Sequence, residues 1–320
     1  VAVIAVIDDE SWRDRLRRLG EDRYHHRHPF NVLMHAGRLE LGDLRLWVAN
    51  RYYYQTRIPI KDAIILSKSE DPGFRRVWIE RILDHDGRGE QHPGGLELWV
   101  GLGRALELSR EQLDAHEELL PTVREACDDY VELVRGSELL AAVASSLTEW
   151  FAGELMRARI EAWRRHYPEV AAQALRYFEE RIVRAPEDAA FALEYVERHA
   201  TTAERARRCL AAFERKCEIL WRLLSAVYLA RRRDRRPLLA ARASLVQRPG
   251  RPAMLLGPER ALELDELATA LLEQADGERT VDEIVRSASA AHRATLTEVE
   301  LDVAGFFGEL EVRRLIDWRD

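Results

Sequence analysis

The sequence lacks the features that would place it in several large functional classes. It has three cysteines, Cys127, Cys209 and Cys217, an odd number with no Cys-x-x-Cys spacing. That pattern argues against a disulfide framework or a cysteine-built zinc site and fits a reducing cytosol. No stretch approaches transmembrane length. The opening VAVIAVI has only seven apolar residues and no basic flank, so we expect a frayed or weakly docked leader on a cytoplasmic protein. Positive charge is not in excess either: 49 Lys and Arg face 56 Asp and Glu, a net charge of −7. A general nucleic-acid binder would usually be basic. Finally, no histidine has a glutamate three residues before it, so the Glu-x-x-His pattern of helical metal sites is missing.

What is present is helix-forming sequence. The 320 residues are 47% hydrophobic and 33% charged, enough to bury a sizeable core in two domains or one large one. From Ser11 to Ala230 the chain reads as helix after helix, which makes the expected fold class mainly α.

The stretch Trp47–Asp62, WVANRYYYQTRIPIKD, organises the rest. At about 100° per residue, Arg51, Tyr54, Gln55 and Lys61 fall within an arc of roughly 120°. Two cations, a phenol and an amide make poor core material unless something pairs with them. Pro59 within the pattern predicts a kink and freed carbonyls. A solvated face with an incidental proline is the plain alternative.

Other helices carry similar faces. YHHRHPF places His25, His26 and His28 close together with His35 beyond; without matched carboxylates, surface or hydrogen-bonded histidines outrank metal ligands. In Phe74–Asp86, ended by Gly87, Arg81 and His85 stack four apart. The helix macrodipole at that end favours a protonated His85, suited to moving protons, or a plain cap. Tyr130 follows Asp128 and Asp129 in a helix starting at Pro121. Glu149, Met156 and Arg159 share a face, and Tyr177 and Arg181 form another pair four apart. In Leu210–Leu224, Lys216 falls inside the apolar arc between Leu220 and Leu223. Snorkelling is the ordinary reading; a buried anionic partner is the other.

Six cations, Arg51, Lys61, Arg81, Arg159, Arg181 and Lys216, thus face inward with Glu149 as the main carboxylate. The missing negative charge points to a ligand. Tyr24, Tyr54, Tyr130 and Tyr177 would wall a pocket for a planar, aromatic, multiply carboxylated molecule, with His25 and His85 moving its protons.

YHHRHPF, WVANRYYYQTRIPIKDA, ERILDHDG, SSLTEWFA, AWRRHYP and KCEILW, in this order, resemble the pyrroloquinoline quinone (PQQ) synthase family over about Ser11 to Ala230. The resemblance implies a haem-oxygenase-like helical bundle, usually a homodimer. It also implies ring closure and eight-electron oxidation of the tricarboxylated quinone precursor of PQQ by dioxygen (O2). Hydrogen peroxide is released, and neither metal nor organic cofactor takes part. By the same resemblance Arg51, Lys61, Arg81, Arg159 and Lys216 meet substrate, with Tyr24, Tyr54, Gln55, Tyr130 and Glu149 around them. His85 is the proton donor and acceptor, and His25, Tyr177 and Arg181 hold dioxygen and peroxide. Met156 departs from the pattern, standing where several relatives have a third oxygen-site histidine. Methionine cannot donate a hydrogen bond.

After Ala230 the composition changes. Residues 231–244 open a basic, proline-punctuated run reaching Pro252, RRRDRRP then RPGRP, which we expect to be an unstructured tether. Residues 245–320 predict a small α+β winged-helix-like unit. Its strands are expected at Leu245–Gln247, Ala253–Leu256 and Arg260–Leu264, with a helix from Asp265 to about Gln274. Capping boxes at Thr280–Glu283 and Thr295–Glu298 open further helices, and Val312–Trp318 ends as strand or helical tail. LLGPERALELDE and ADGERTVDEIV resemble the small PQQ-biosynthesis chaperone that takes up a precursor peptide along a sheet edge. A shorter first hairpin than usual bears on peptide affinity. The implied partners are that peptide and the radical enzyme acting on it, with no nucleic acid and no membrane. A haem-oxygenase-like metal-dependent oxidase and a non-catalytic binding scaffold are the alternative readings.

Overall fold

The computed structural model describes residues 6–7, 10–248, 250–258 and 261–320. The first five residues of the expected leader lie outside this set; Val6–Ile7 (β1) pairs antiparallel with Glu10–Ser11 (β2). The chain divides into two compact units, Val1–Leu223 and Leu224–Asp320.

The first unit is helical. Its elements are α1 (Trp12–Arg23), α2 (Pro29–His35), α3 (Leu41–Ser67), α4 (Pro72–Asp86), α5 (Gly95–Arg104), α6 (Arg110–Asp114), α7 (Pro121–Gly136) and α8 (Leu139–Ser145). They continue as α9 (Ala152–His166), α10 (Pro168–Ala174), α11 (Arg176–His199) and α12 (Ala203–Ala230), of which residues 203–223 belong to this unit. Two short 3-10 turns, His25–Arg27 and Ser146–Phe151, interrupt the series. The face expected to carry Glu149, Met156 and Arg159 together is therefore split, with Glu149 in a 3-10 turn and Met156 and Arg159 on α9.

Local chemistry sets the boundaries. Asp71 caps α4 by accepting from the N–H groups of Gly73 and Phe74, and Pro72 needs no N–H at the first helical position. The helix stops at Gly87, whose φ of 88° suits a residue with no Cβ. Pro59 does not end α3: the helix runs through it to Ser67, held by packing against α4 and α7.

An aromatic core of Trp47, Trp99, Trp163 and Phe178 knits α3, α5, α9 and α11 together, Trp47 and Trp99 with ring centroids 5.4 Å apart. Trp99 also meets Tyr177 edge-on at 4.8 Å, which seats that tyrosine on rigid material. Gly20 on α1 is required by packing, since a Cβ there would lie 2.0 Å from the Phe151 ring.

The second unit has a three-stranded antiparallel sheet of Ser244–Val246, Ala253–Leu256 and Ala261–Leu264 (β4, β5 and β6). Three helices follow: α13 (Glu266–Glu273), α14 (Val281–His292) and α15 (Leu296–Val312). Asp265, Thr280 and Thr295 cap them, the last two through complete capping boxes. Arg260, expected to start the third strand, lies outside the described residues.

The tether expectation is overturned in part. Arg236–Leu239 (β3) pairs antiparallel with Ile316–Arg319 (β7), which also settles the tail as a strand. Just before it Arg232 is buried and grips Glu311 at 2.9 and 3.2 Å, with Tyr228 donating to the same carboxylate at 2.7 Å. Arginines paired in this way build structure; composition alone reads them as solvated.

Candidate active site

α3 contributes the centre of the site. Tyr54, Gln55 and Lys61 are buried on it, and the Arg51 guanidinium lies 3.8 Å from the centroid of the Tyr54 ring. The rings of Tyr54 and Tyr130 are parallel to within 4°, their centroids 6.3 Å apart. Lys216, from α12, places its Nζ 3.3 Å from the Tyr130 ring centroid and 4.2 Å from that of Tyr54. This ammonium is fully buried and has no hydrogen-bond partner among the described residues. Burial, and then the Arg51 charge, hold its pKa well below the usual lysine range.

The six expected cations separate into two groups. Lys61 donates to Asp62 at 2.7 Å and to Ser146 at 3.0 Å. Burial opposes its charge, yet Asp62 carries the pKa upward. Arg81 contacts Asp62, Glu149 and Asp188, and Arg181 contacts Glu149 and Asp188. Despite burial, Arg81, Arg181 and Lys61 pull Glu149 down to about 2. In the second group, Arg51, Arg159 and Lys216 have no carboxylate partner among the described residues. Arg159 donates to Asn31 at 2.9 Å, its Nε is unpartnered, and burial with the Arg51 charge lowers its pKa to about 10. Glu149 is thus not the main carboxylate alone: with Asp62 and Asp188 it balances three of the six cations.

His85 corrects the sequence expectation. Its Nδ1 lies 3.1 Å from the Arg81 carbonyl, so that nitrogen carries the proton and Nε2 is left as an unpartnered acceptor. Burial, reinforced by the Arg181 charge, lowers the pKa to about 4. Burial outweighs the helix end, and the ring is neutral near pH 7. His25 is likewise held well below its usual pKa by burial and then by Arg51 and Arg159; its Nδ1 has no partner.

The Tyr177 hydroxyl donates to Gln55 at 3.1 Å, tying α11 to α3. Tyr24 packs edge-on to His25 at 4.4 Å. Met156 is buried on α9 one turn before Arg159. A cleft of about 750 Å³ lined by His85, His92, Gly95, Tyr177, Arg181 and Arg184 reaches one side of this interior. Another, of about 630 Å³, is lined by Tyr24, His26, His35, Phe151 and Leu155. Among the described residues no group of three or more His, Cys, Asp or Glu is placed to hold a metal ion. Nor is any helix long and apolar enough to cross a membrane.

Comparison with known proteins identifies the fold and the lineage. A family model described as TENA/THI-4/PQQC matches residues 13–226, well over half of the chain. The chain belongs to the TENA/THI-4/PQQC family. A second model, coenzyme PQQ synthesis protein D, matches residues 253–316. The pyrroloquinoline-quinone synthase of Xanthomonas campestris pv. campestris is 43% identical over 226 residues, covering 71% of this chain and 90% of that protein. The bifunctional coenzyme PQQ synthesis protein C/D of Methylorubrum extorquens is 33% identical and covers 98% of this chain and 96% of its own length. A haem-oxygenase-like domain from Shewanella denitrificans superposes with a TM-score of 0.58 at 12% identity, over 71% of this chain and 94% of that one. A TenA homologue from Pseudomonas syringae gives 0.56 at 14%, over 68% and 92%. The last two establish the helical fold.

Within this TENA/THI-4/PQQC bundle, sequence reasoning missed Asp62, Asp188 and Asn31. Asp188 had a signal: it lies seven residues after Arg181, two turns along the same face of α11. Pro186 between them reads as a break, but the helix continues through it.

Proposed function

We propose that the first unit is a pyrroloquinoline-quinone synthase that closes the ring of a planar, tricarboxylated quinone precursor and oxidises it with dioxygen. The observation that carries this reading is a charge count: Arg51 and Lys216 sit against two parallel tyrosine rings, Arg159 lies over Trp47 and Phe178, and among the described residues no carboxylate answers the three. Uncompensated buried cations are costly, and a polyanion that enters repays that cost. A flat ring system is held by tyrosine faces, while its carboxylates take the three free cations.

In this reading the proton chemistry belongs to the cleft end. Neutral His85 accepts a substrate proton on Nε2. Tyr177, Arg181 and His25 bind dioxygen and then peroxide, each oxygen molecule taking two electrons and two protons as it becomes hydrogen peroxide. Met156 brings no N–H donor to that group. We further infer a cytoplasmic homodimer; three free, buried cysteines support the compartment. The test is oxygen uptake when the precursor is added to the purified protein. Uptake with peroxide formation is expected, and none would refute the reading.

The second unit we assign to a precursor peptide, and to the radical enzyme that acts on it, through strand addition at an edge of the β4–β5–β6 sheet. Main-chain hydrogen bonds would supply much of the affinity. A proline placed in the paired segment of the peptide should weaken binding to the full chain by about tenfold, the loss of one or two such bonds. Calorimetry with both peptides checks this; equal affinities would rule out strand addition.

A further inference from the structure

Arg81, Glu149, Arg181 and Asp188 close a ring of alternating charge. Arg81 lies 2.5 Å from Glu149 Oε2 and 3.6 Å from Asp188 Oδ1. Arg181 lies 3.8 Å from Glu149 Oε1 and 3.4 Å from Asp188 Oδ2. Each carboxylate gives one oxygen to each guanidinium, so neither arginine can turn without breaking two pairs. The four side chains are only 5–19% exposed, which limits screening by solvent. They come from α4, the Ser146–Phe151 turn and α11. The ring also touches the proton acceptor, because the His85 Nδ1 is bonded to the backbone carbonyl of Arg81 itself.

We propose that Asp188 is a positioning residue for the oxidation: with Glu149 it locks Arg81, on the substrate side, and Arg181, on the oxygen side, into one register. This rests on the synthase reading above and adds to it a residue that touches neither substrate nor oxygen. Glu149 is held in the ring by both of its oxygens and acts on substrate through the arginines.

The ring is sensitive to acid. Asp188 faces Arg81 and Asp84 from α4, Glu149 from the turn and Arg181 from its own helix. Burial raises its carboxyl to about 6, with Glu149 and Asp84 adding to the rise and the two arginines opposing it. Above that pH the carboxylate is ionised and the ring is closed. Below it the Asp188 pairs weaken, the ring opens on that side, and Arg181 is left with Glu149 alone.

The test compares full-length wild type with Asp188→Asn and Asp188→Glu, following precursor oxidation from pH 5 to 8. Wild-type kcat should fall as pH drops through about 6. Asp188→Asn should keep the precursor KM within about threefold, because Arg51, Arg159 and Lys216 are untouched. Its kcat should drop about tenfold and its acid limb should vanish. A purely structural role would lower the amount of active protein and leave the limb in place. Asp188→Glu keeps the charge on a longer arm, so its limb should persist with a midpoint displaced by about half a pH unit or more. Wild-type kcat with an unchanged limb in Asp188→Asn would overturn the proposal. Should that variant not fold, an unshifted midpoint in Asp188→Glu would do the same. If wild type itself does not turn over, the synthase reading has failed; if it does and the variants match it, only the ring has.

Discussion

Replacing Lys216 with methionine will weaken precursor binding by about 2–5 kcal/mol, roughly thirtyfold to several thousandfold, while making the empty protein more stable. The two effects have opposite signs because this ammonium has no partner until ligand arrives. It is fully buried, its Nζ makes no hydrogen bond among the described residues, and two tyrosine faces are the contacts that temper its charge. A flexible thioether of similar length fills the same space without the desolvation cost. A pH slope accompanies the change. The folded-state pKa of Lys216 is depressed below its usual 10.5, so its contribution to stability is present above that value and is lost as pH falls towards the depressed one. The methionine variant has no such loss. Anaerobic calorimetry gives the affinity and thermal unfolding gives the stability. Unchanged affinity, or a lower melting temperature, would contradict the assignment.

His85→Asn should leave precursor affinity within a few fold of wild type and slow oxidation by about 10²–10⁴, the usual range for a lost general base. Asparagine can still donate to the Arg81 carbonyl, but it has no basic nitrogen where Nε2 stood. The wild-type ring, with its pKa near 4, is a ready acceptor across the neutral range and is lost only as pH falls through that value. The acid limb near pH 6 therefore belongs to Asp188, and the two limbs are separable by mutation. Anaerobic titration followed by stopped-flow mixing with oxygen measures both steps. Turnover of His85→Asn at the wild-type rate would remove His85 from the mechanism.

The features legible in the sequence were those with a short period. The Arg51, Tyr54, Gln55 and Lys61 arc, the Arg81–His85 pair and the inward Lys216 each follow from the helical repeat. The Thr280 and Thr295 capping boxes follow from three-residue spacing. What was not legible depended on neighbours in space. Asp62 follows Lys61 by one residue and so points about 100° away; only packing of α3 on several sides buries both. The protonation state of His85 was misjudged because a helix end can be read from sequence and the depth of burial cannot. The basic run after Ala230 looked solvated because its partners, Glu311 and strand β7, lie near the far end of the chain. All six inward cations pointed to a polyanionic ligand, and the structure narrows that inference to Arg51, Arg159 and Lys216 by pairing Lys61, Arg81 and Arg181 with carboxylates.

The most direct measurement is a single turnover. Protein treated with chelator and freed of metal is mixed with less than one equivalent of the tricarboxylated precursor under nitrogen, and air is then admitted while absorbance and peroxide are followed. The account predicts a bound but unoxidised precursor under nitrogen. On admission of oxygen it predicts full conversion to the quinone product with release of peroxide, at the same rate as in untreated protein. A precursor that binds and stays unoxidised in air, or is oxidised only after iron is restored, would contradict it.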